Sequence, residues 1–361
     1  MNWLAWRQHR KQFIVAGIFL VLFAAFMIPT GLNFWHTYQH ALSTCANTNT
    51  CNQLSSELLQ SNVDQILLHL VKIVVVFIPI ILGLFWGVPF LAREYADGTN
   101  KLIWTQSVSR KKWLTIKLTW ALAGTVITAG AFVALDTWWF KTSNALNLDR
   151  FQTLQFSSQG IELIGCAVFA VALGIMFGAW FRRTMVALGV TLFVLIAIVV
   201  VIVPNFIRPY YETPLSYKAS LLSNSIPGTT VSINGRQLTS SSGPISGAAL
   251  VVSQGPVNSQ NQPLDTSNPP KQCIVTNPGG GVGSVGKRAA IASGNPMPII
   301  SMNGGPAISV DCLNTLGYKM QVKYQPSYRY WDFQRIEAAM YLALSVIPIG
   351  ATYWLVLRRD A

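Results

Sequence analysis

The chain has 361 residues and a formal net charge of +13, yet only 11% of its residues are charged while 51% are hydrophobic, with 12 Trp and 18 Phe. A soluble domain of this length rarely shows that balance. The basic residues cluster beside apolar runs and form neither an aromatic-interleaved basic surface nor a known nucleic-acid motif, so membrane anchoring explains the charge and nucleic-acid binding is excluded.

Residues 1–12 carry Trp3, Trp6, Arg7, Arg10 and Lys11, a mixture suited to a short helix lying in the membrane interface. Residues 13–32 are uncharged and long enough to span. They are too long for a signal-peptide core and lack a small-residue cleavage site before a mature domain, so they read as a retained first span. Residues 33–64 are polar without Lys or Arg, which places them outside. A second span follows over about 65–92, with Pro79 and Pro89 predicting kinks and Lys72 snorkelling to the outer headgroups.

Residues 93–113 form a polar island between two apolar runs and must lie at one surface of the bilayer. Gly98 suits the left-handed end of one short helix, and Thr99 suits the cap of the next. Leu102, Ile103 and Gln106 fall at helical spacing, and Ser109 caps a further helix that opens with Arg110, Lys111 and Lys112. Basic residues there oppose the helix dipole and are better explained as contacts to anionic headgroups.

The third span covers 113–139, with Lys117 snorkelling inward and Asp136 reading as a solvated outer terminus, with pairing to a neighbouring helix as the alternative. An outer loop over 140–160 leads to the fourth span, 161–181, where Glu162 reads as an interfacial, water-exposed acid. Ala170, Gly174 and Gly178 recur every four residues there, a small-residue face for close helix packing, within a subunit or between subunits. Arg182 and Arg183 make a tight inner turn, and 185–203 is a fifth span closed by Pro204. From 205 to 332 the composition turns to Gly, Pro, Ser and Asn, with short β-prone runs at 229–233, 248–252 and 273–276. The sixth span is 333–357, with Glu337 near its outer start, Pro348 near its middle and Arg358-Arg359 anchoring the inner end. Basic flanks at alternate ends put both termini, the 93–113 island and the 182–183 turn in the cytoplasm.

Cys45 and Cys51 fall in one outer segment, Cys273 and Cys312 in another, and Cys166 within a span. The expectation is two local disulfides and one free thiol; four free thiols are the alternative, since connectivity is not written in the spacing. No metal site is expected, because neither pair has C-x-x-C spacing or histidine neighbours, and His36 and His40 lack the glutamate of H-E-x-x-H. Gly281 to Lys287 fits a phosphate-loop pattern but is followed by Arg288 where a hydroxyl should hold magnesium, and it falls on the outer side.

Several motifs carry a family resemblance. Glu94-x-x-x-Gly98-Thr99, Trp104-Thr105-Gln106-Ser107-Val108-Ser109-Arg110 and Trp113-x-x-x-Lys117 resemble the permease subunits of ABC-2-type exporters, in the form common in actinobacteria and related bacteria. Gly178-Ala179-x-Phe181-Arg182-Arg183-Thr184 continues the similarity. It extends through Tyr324-Gln325-Pro326-Ser327-x-Arg329-x-Trp331-x-Phe333-Gln334-x-x-Glu337 and the opening Trp6-Arg7-Gln8-His9-Arg10.

The expected fold is therefore an all-α polytopic membrane protein. It has an interfacial helix (1–12), spans 1–5 (13–204) with a cytoplasmic coupling helix at 93–113, a small β or irregular extracellular domain (205–332), and a sixth span with a cytoplasmic tail (333–361). The resemblance implies an exporter of a hydrophobic or amphipathic substrate (drug, lipid or peptide) in a bacterial plasma membrane. Two membrane subunits, expected to be a homodimer among membrane lipids, would pair with two copies of an ABC ATPase that binds the ATP and magnesium. This chain would carry no cofactor and no catalytic residue. Glu94, Asp97, Gly98, Thr99, Leu102, Trp104 and Arg110 would contact the ATPase. The alternative is a transmission or sensing subunit that moves its external domain without passing substrate.

Overall fold

The computed structural model describes residues 2–44, 62–96, 109–140, 151, 153–220, 249–265, 270–274, 299–300 and 308–358. Among the described residues, six helices are long and apolar enough to cross a membrane: Phe13–Asn33, Leu70–Ala96, Arg110–Trp139, Glu162–Phe181, Thr184–Tyr210 and Ser327–Arg358. Cys45, Cys51, the run 229–233 and the segment 281–288 lie outside the described residues. The chain divides into two compact units, a helical one (Met1–Tyr211 with Tyr328–Ala361) and a second one (Glu212–Ser327).

In the helical unit, α1 (Asn2–Thr44) is one continuous helix, unbroken between residues 12 and 13 and extending past the apolar run to Thr44. Falling hydropathy marks where a membrane ends, not where backbone hydrogen bonding must stop. The second span is α2 (Asn62–Leu82), a π-helical turn (Gly83–Gly87) and α3 (Val88–Ala96). The wide turn comes immediately before Pro89, whose ring has no N–H and crowds the preceding turn. Next come α4 (Arg110–Trp139), the short α5 (Thr153–Ser158) and α6 (Glu162–Phe181). Ser109 caps α4 by accepting from the Lys112 N–H at 3.4 Å.

The fifth span is longer than its sequence suggests. α7 (Thr184–Leu195) runs into a π-helical stretch, Ile196–Ile207, and a 3-10 turn, Arg208–Tyr210. Pro204 lies inside that stretch and does not close it. In α geometry its ring would clash with the carbonyl one turn back, and a wider turn relieves the clash. The consequence is that Arg208 is carried into the protein. The last span, α9 (Tyr330–Arg358), follows a 3-10 turn at Ser327–Arg329.

The core is organised around α6. Of its membrane window 83% is buried, against 6% for the first span. One side of α6 joins Leu163, Ala167, Val171 and Ile175 to α1, α2, α3 and α4; the other joins Phe169 and Leu173 to Leu195, Val199 and Tyr341. Aromatic contacts seat α1: Phe13 on Trp86 and Phe23 on Phe132, with ring centres 4.9 and 5.3 Å apart.

The second unit has a three-stranded antiparallel sheet in the order β1 (Leu215–Ser220), β5 (Lys319–Gln325), β2 (Leu250–Val257). Met320 and Val322 of the central strand are buried while Lys319 and Lys323 are exposed, the alternation of a half-buried strand. A two-stranded ladder pairs β3 (Ile299–Ile300) with β4 (Ile308–Ser309), followed by α8 (Val310–Thr315). Cys273 and Cys312 form the expected disulfide, Cα atoms 5.4 Å apart, inside a small cluster with Leu264 and Leu313. Closing a loop of 39 residues contributes about 3–4 kcal/mol in the chain-entropy account, a large share for so small a core. Residues 271–273 form a 3-10 turn instead of opening a strand. Cys166 is a free, buried thiol.

Candidate functional site

The helices that flank the polar island are joined by charge. α3 stops at Ala96 and α4 starts at Arg110. Asp97, Gly98, Thr99, Leu102 and Trp104 lie between them, outside the described residues. Glu94, two residues before the end of α3, forms an ion pair with Lys117, two turns into α4. Lys117 does not reach toward the surface: it is 3% exposed, against 15% for Glu94. Its ammonium lies 4.9 Å from the centre of the Trp113 ring and 5.5 Å from that of Phe90, so two aromatic faces and one carboxylate replace its water. Arg110, half-buried, opens the same helix. Thr115 and the Tyr353 hydroxyl, 2.8 Å apart, tie α4 to α9.

The adjacent turn belongs to the same end. Arg182 ends α6 in the left-handed conformation (φ 54°), and its N–H donates to the Gly178 carbonyl at 3.2 Å. A non-glycine residue is uncommon there and carries a cost of order 1 kcal/mol. Its guanidinium lies over the Tyr95 ring at 5.0 Å, which connects the α6–α7 turn to the end of α3.

From this end, close backbone packing continues into the core. Ala170, Gly174 and Gly178 of α6 lie against the second span within the same chain. A Cβ at Gly83 would stand 2.8 Å from the Ala170 carbonyl oxygen, and one at Gly87 would stand 2.7 Å from that of Val171. Gly174 faces Gly83 and Val88, and Gly178 faces Val88 and Ala92. Small residues on both sides bring the backbones of the second span and α6 into contact.

At the opposite end of α6, 20 residues or about 30 Å away, charges are more deeply enclosed. Arg208 is 2% exposed; its Nε donates to Glu337 Oε2 at 2.9 Å, and its Nη2 to Glu337 Oε1 at 2.7 Å and to Ser157 Oγ at 2.9 Å. The guanidinium also lies 4.1 Å from the centre of the Phe156 ring. Glu162 is buried with Glu337 and Arg208 as its charged neighbours, so it is not the water-exposed acid expected from its position at a span end. Gln334 completes the closure: its Oε1 accepts from the Glu162 N–H at 3.0 Å, and its Nε2 donates to the Phe156 carbonyl at 2.9 Å. Gly160 (φ +85°) is required beside it, because a Cβ there would meet the Gln334 side chain at 2.6 Å.

Asp136 is likewise no solvated terminus; it is buried, with Ser158 and Lys72 as its polar neighbours. Lys72 is buried 5.5 Å from the centre of the Phe140 ring. Reading the chain residue by residue missed these clusters because each acid, alone, resembles an ordinary interfacial residue. The available signal was Arg208, one cation at the end of a long apolar run, with two acids at span ends able to meet it. No group of three or more metal-ligating side chains occurs among the described residues. The described arrangement has three parts: an ionic joint beside the α3–α4 connection, a backbone-to-backbone interlock and a buried ionic clamp.

A family model described as "ABC-2 membrane transporter related" matches residues 17–208, more than half of the chain. No curated protein and no solved structure matches it. The matched residues include the Glu94–Lys117 joint, the interlock and Arg208. The chain is a multi-pass membrane permease of the ABC-2 type and belongs to the ABC-2 membrane transporter related family.

Proposed function

We propose that this permease is the membrane half of an ATP-driven exporter for a hydrophobic or amphipathic substrate in a bacterial plasma membrane. Both termini and the 93–113 island face the cytoplasm. Two permease copies work with two copies of an ABC ATPase, and ATP and magnesium are bound by that partner. The supporting observation is the Glu94–Lys117 joint, which fastens together the two helices leading into and out of the island. A push on the island, through Asp97, Gly98, Thr99, Leu102, Trp104 and Arg110, acts on α3 and α4 at once. The interlock then passes it to α6, which favours one of two bundle arrangements over the other.

The tagged chain purified from its native membrane is expected to retain an ABC ATPase, and ATP hydrolysis should travel with that partner. The chain alone should neither bind nor hydrolyse ATP. Saturable ATP binding by the isolated chain, lost in Lys287→Ala, would overturn the assignment of roles.

A second reading follows from the separate, disulfide-closed unit at Glu212–Ser327. In it the ATPase drives that unit without passing substrate. ATP-dependent accumulation of substrate in inverted vesicles supports export; stimulated hydrolysis without flux supports transmission.

A further inference from the structure

A cavity of about 490 Å3 lies in the helical unit between α1, the second span and α4. Phe19, Ile78, Phe85, Trp86 and Phe132 form much of its wall, and among the described residues Arg93 is its one charged lining residue. Phe85 and Trp86 belong to the π-helical turn Gly83–Gly87, a departure from α geometry frequent at functional sites. The Trp86 indole N–H is buried and has no acceptor among the described residues. Arg93 is exposed and pairs with no acid among the described residues.

We propose that this cavity holds one acyl chain of an anionic phospholipid from the leaflet on the Arg93 side, with the phosphate held by Arg93. Three observations favour that occupant. Ile78 and Arg93 are fifteen residues apart on one span, about 22 Å along the axis. Half of the hydrocarbon core plus one headgroup region is about 20–22 Å, so the cavity matches the depth of a single leaflet. The charge is also at the correct end. Arg93 lies on the side of the bundle that carries Arg110, Lys111, Lys112 and Arg183, where positive charge meets anionic headgroups. Finally, side chains on a helix lean toward its N-terminus, which here is the membrane interior, so the Arg93 guanidinium leans back over the mouth of the cavity. Two turns deeper, the Trp86 N–H is a donor suited to an ester carbonyl of the same lipid. The proposal does not depend on what the chain exports.

The test uses the full chain in bilayers containing phosphatidylglycerol or phosphatidylcholine with a photoactivatable diazirine in the acyl chain, followed by mapping of labelled peptides. Phosphatidylglycerol should label peptides containing Ile78 to Phe85 and Phe132 above those of the outward faces at Phe193, Val346 and Ile347. Arg93→Gln should reduce labelling of the cavity peptides by phosphatidylglycerol about fivefold and leave labelling by phosphatidylcholine unchanged. Ala16→Trp, which fills the cavity wall, should reduce both. Equal labelling of cavity and outward faces would mean annular lipid only and overturn the proposal. So would an unchanged preference for phosphatidylglycerol in Arg93→Gln.

Discussion

At one end of α6, Arg208 meets both carboxylate oxygens of Glu337 and the Ser157 hydroxyl, and the two charged partners are 2% and 0% exposed. At the other end, Lys117 pairs with a Glu94 that keeps 15% of its side-chain surface, next to the segment that joins α3 and α4. Both ends place charge within membrane-spanning helices, but they differ in how completely water is replaced. The Arg208 end is closed by a bidentate pair, a third acceptor, an aromatic face and the Gln334 bridge. The Glu94 end has one carboxylate and two aromatic faces, and the Glu94 side chain keeps part of its surface exposed. A fully enclosed pair is costly to break, because removing either partner strands the other in a medium that cannot solvate it. A pair at the edge can be rearranged more cheaply, since water takes over what is lost. Under the proposed function, the first end holds and the second moves.

That contrast can be broken by single substitutions. Arg208→Met leaves Glu337 buried without its cation and should destabilise the helical unit by about 3–5 kcal/mol, read as a large drop in the melting temperature of purified protein. Adding Glu337→Leu should return part of the loss, because an apolar pair of similar volume removes that stranded carboxylate and leaves only Glu162 beside it. Lys117→Met should cost less in the same assay, about 1–3 kcal/mol, since Glu94 keeps some exposure two residues from the end of α3. If the two single variants melt alike, the distinction between clamp and joint is wrong.

Much of this architecture was legible in the chain. Long apolar runs register directly as spans, and all six expected spans are helices long and apolar enough to cross a membrane. The Cys273–Cys312 bridge was anticipated from its place in a polar segment of low apolar content. The misreadings share one cause: patterns along the chain report local preference, whereas helix ends and burial depend on what lies opposite. Pro204 reads as a stop, yet the π-helical stretch continues past it and delivers Arg208 inward. Glu162, Asp136 and Lys117 each read as residues reaching for water, and each is buried by partners distant in sequence. Strands β1 and β5 went unread because a polar, Gly-rich stretch masks short alternating runs.

The most direct test of the central claim reverses the charges of the joint. With the permease reconstituted beside its ATPase, Glu94→Lys and Lys117→Glu should each insert and bind the partner but lose the response of ATP hydrolysis to substrate. The double variant, which restores an opposite pair in reversed order, should recover that response. Wild-type coupling in both single variants, or a double variant as uncoupled as either single one, would contradict a joint that transmits force through the Glu94–Lys117 pair.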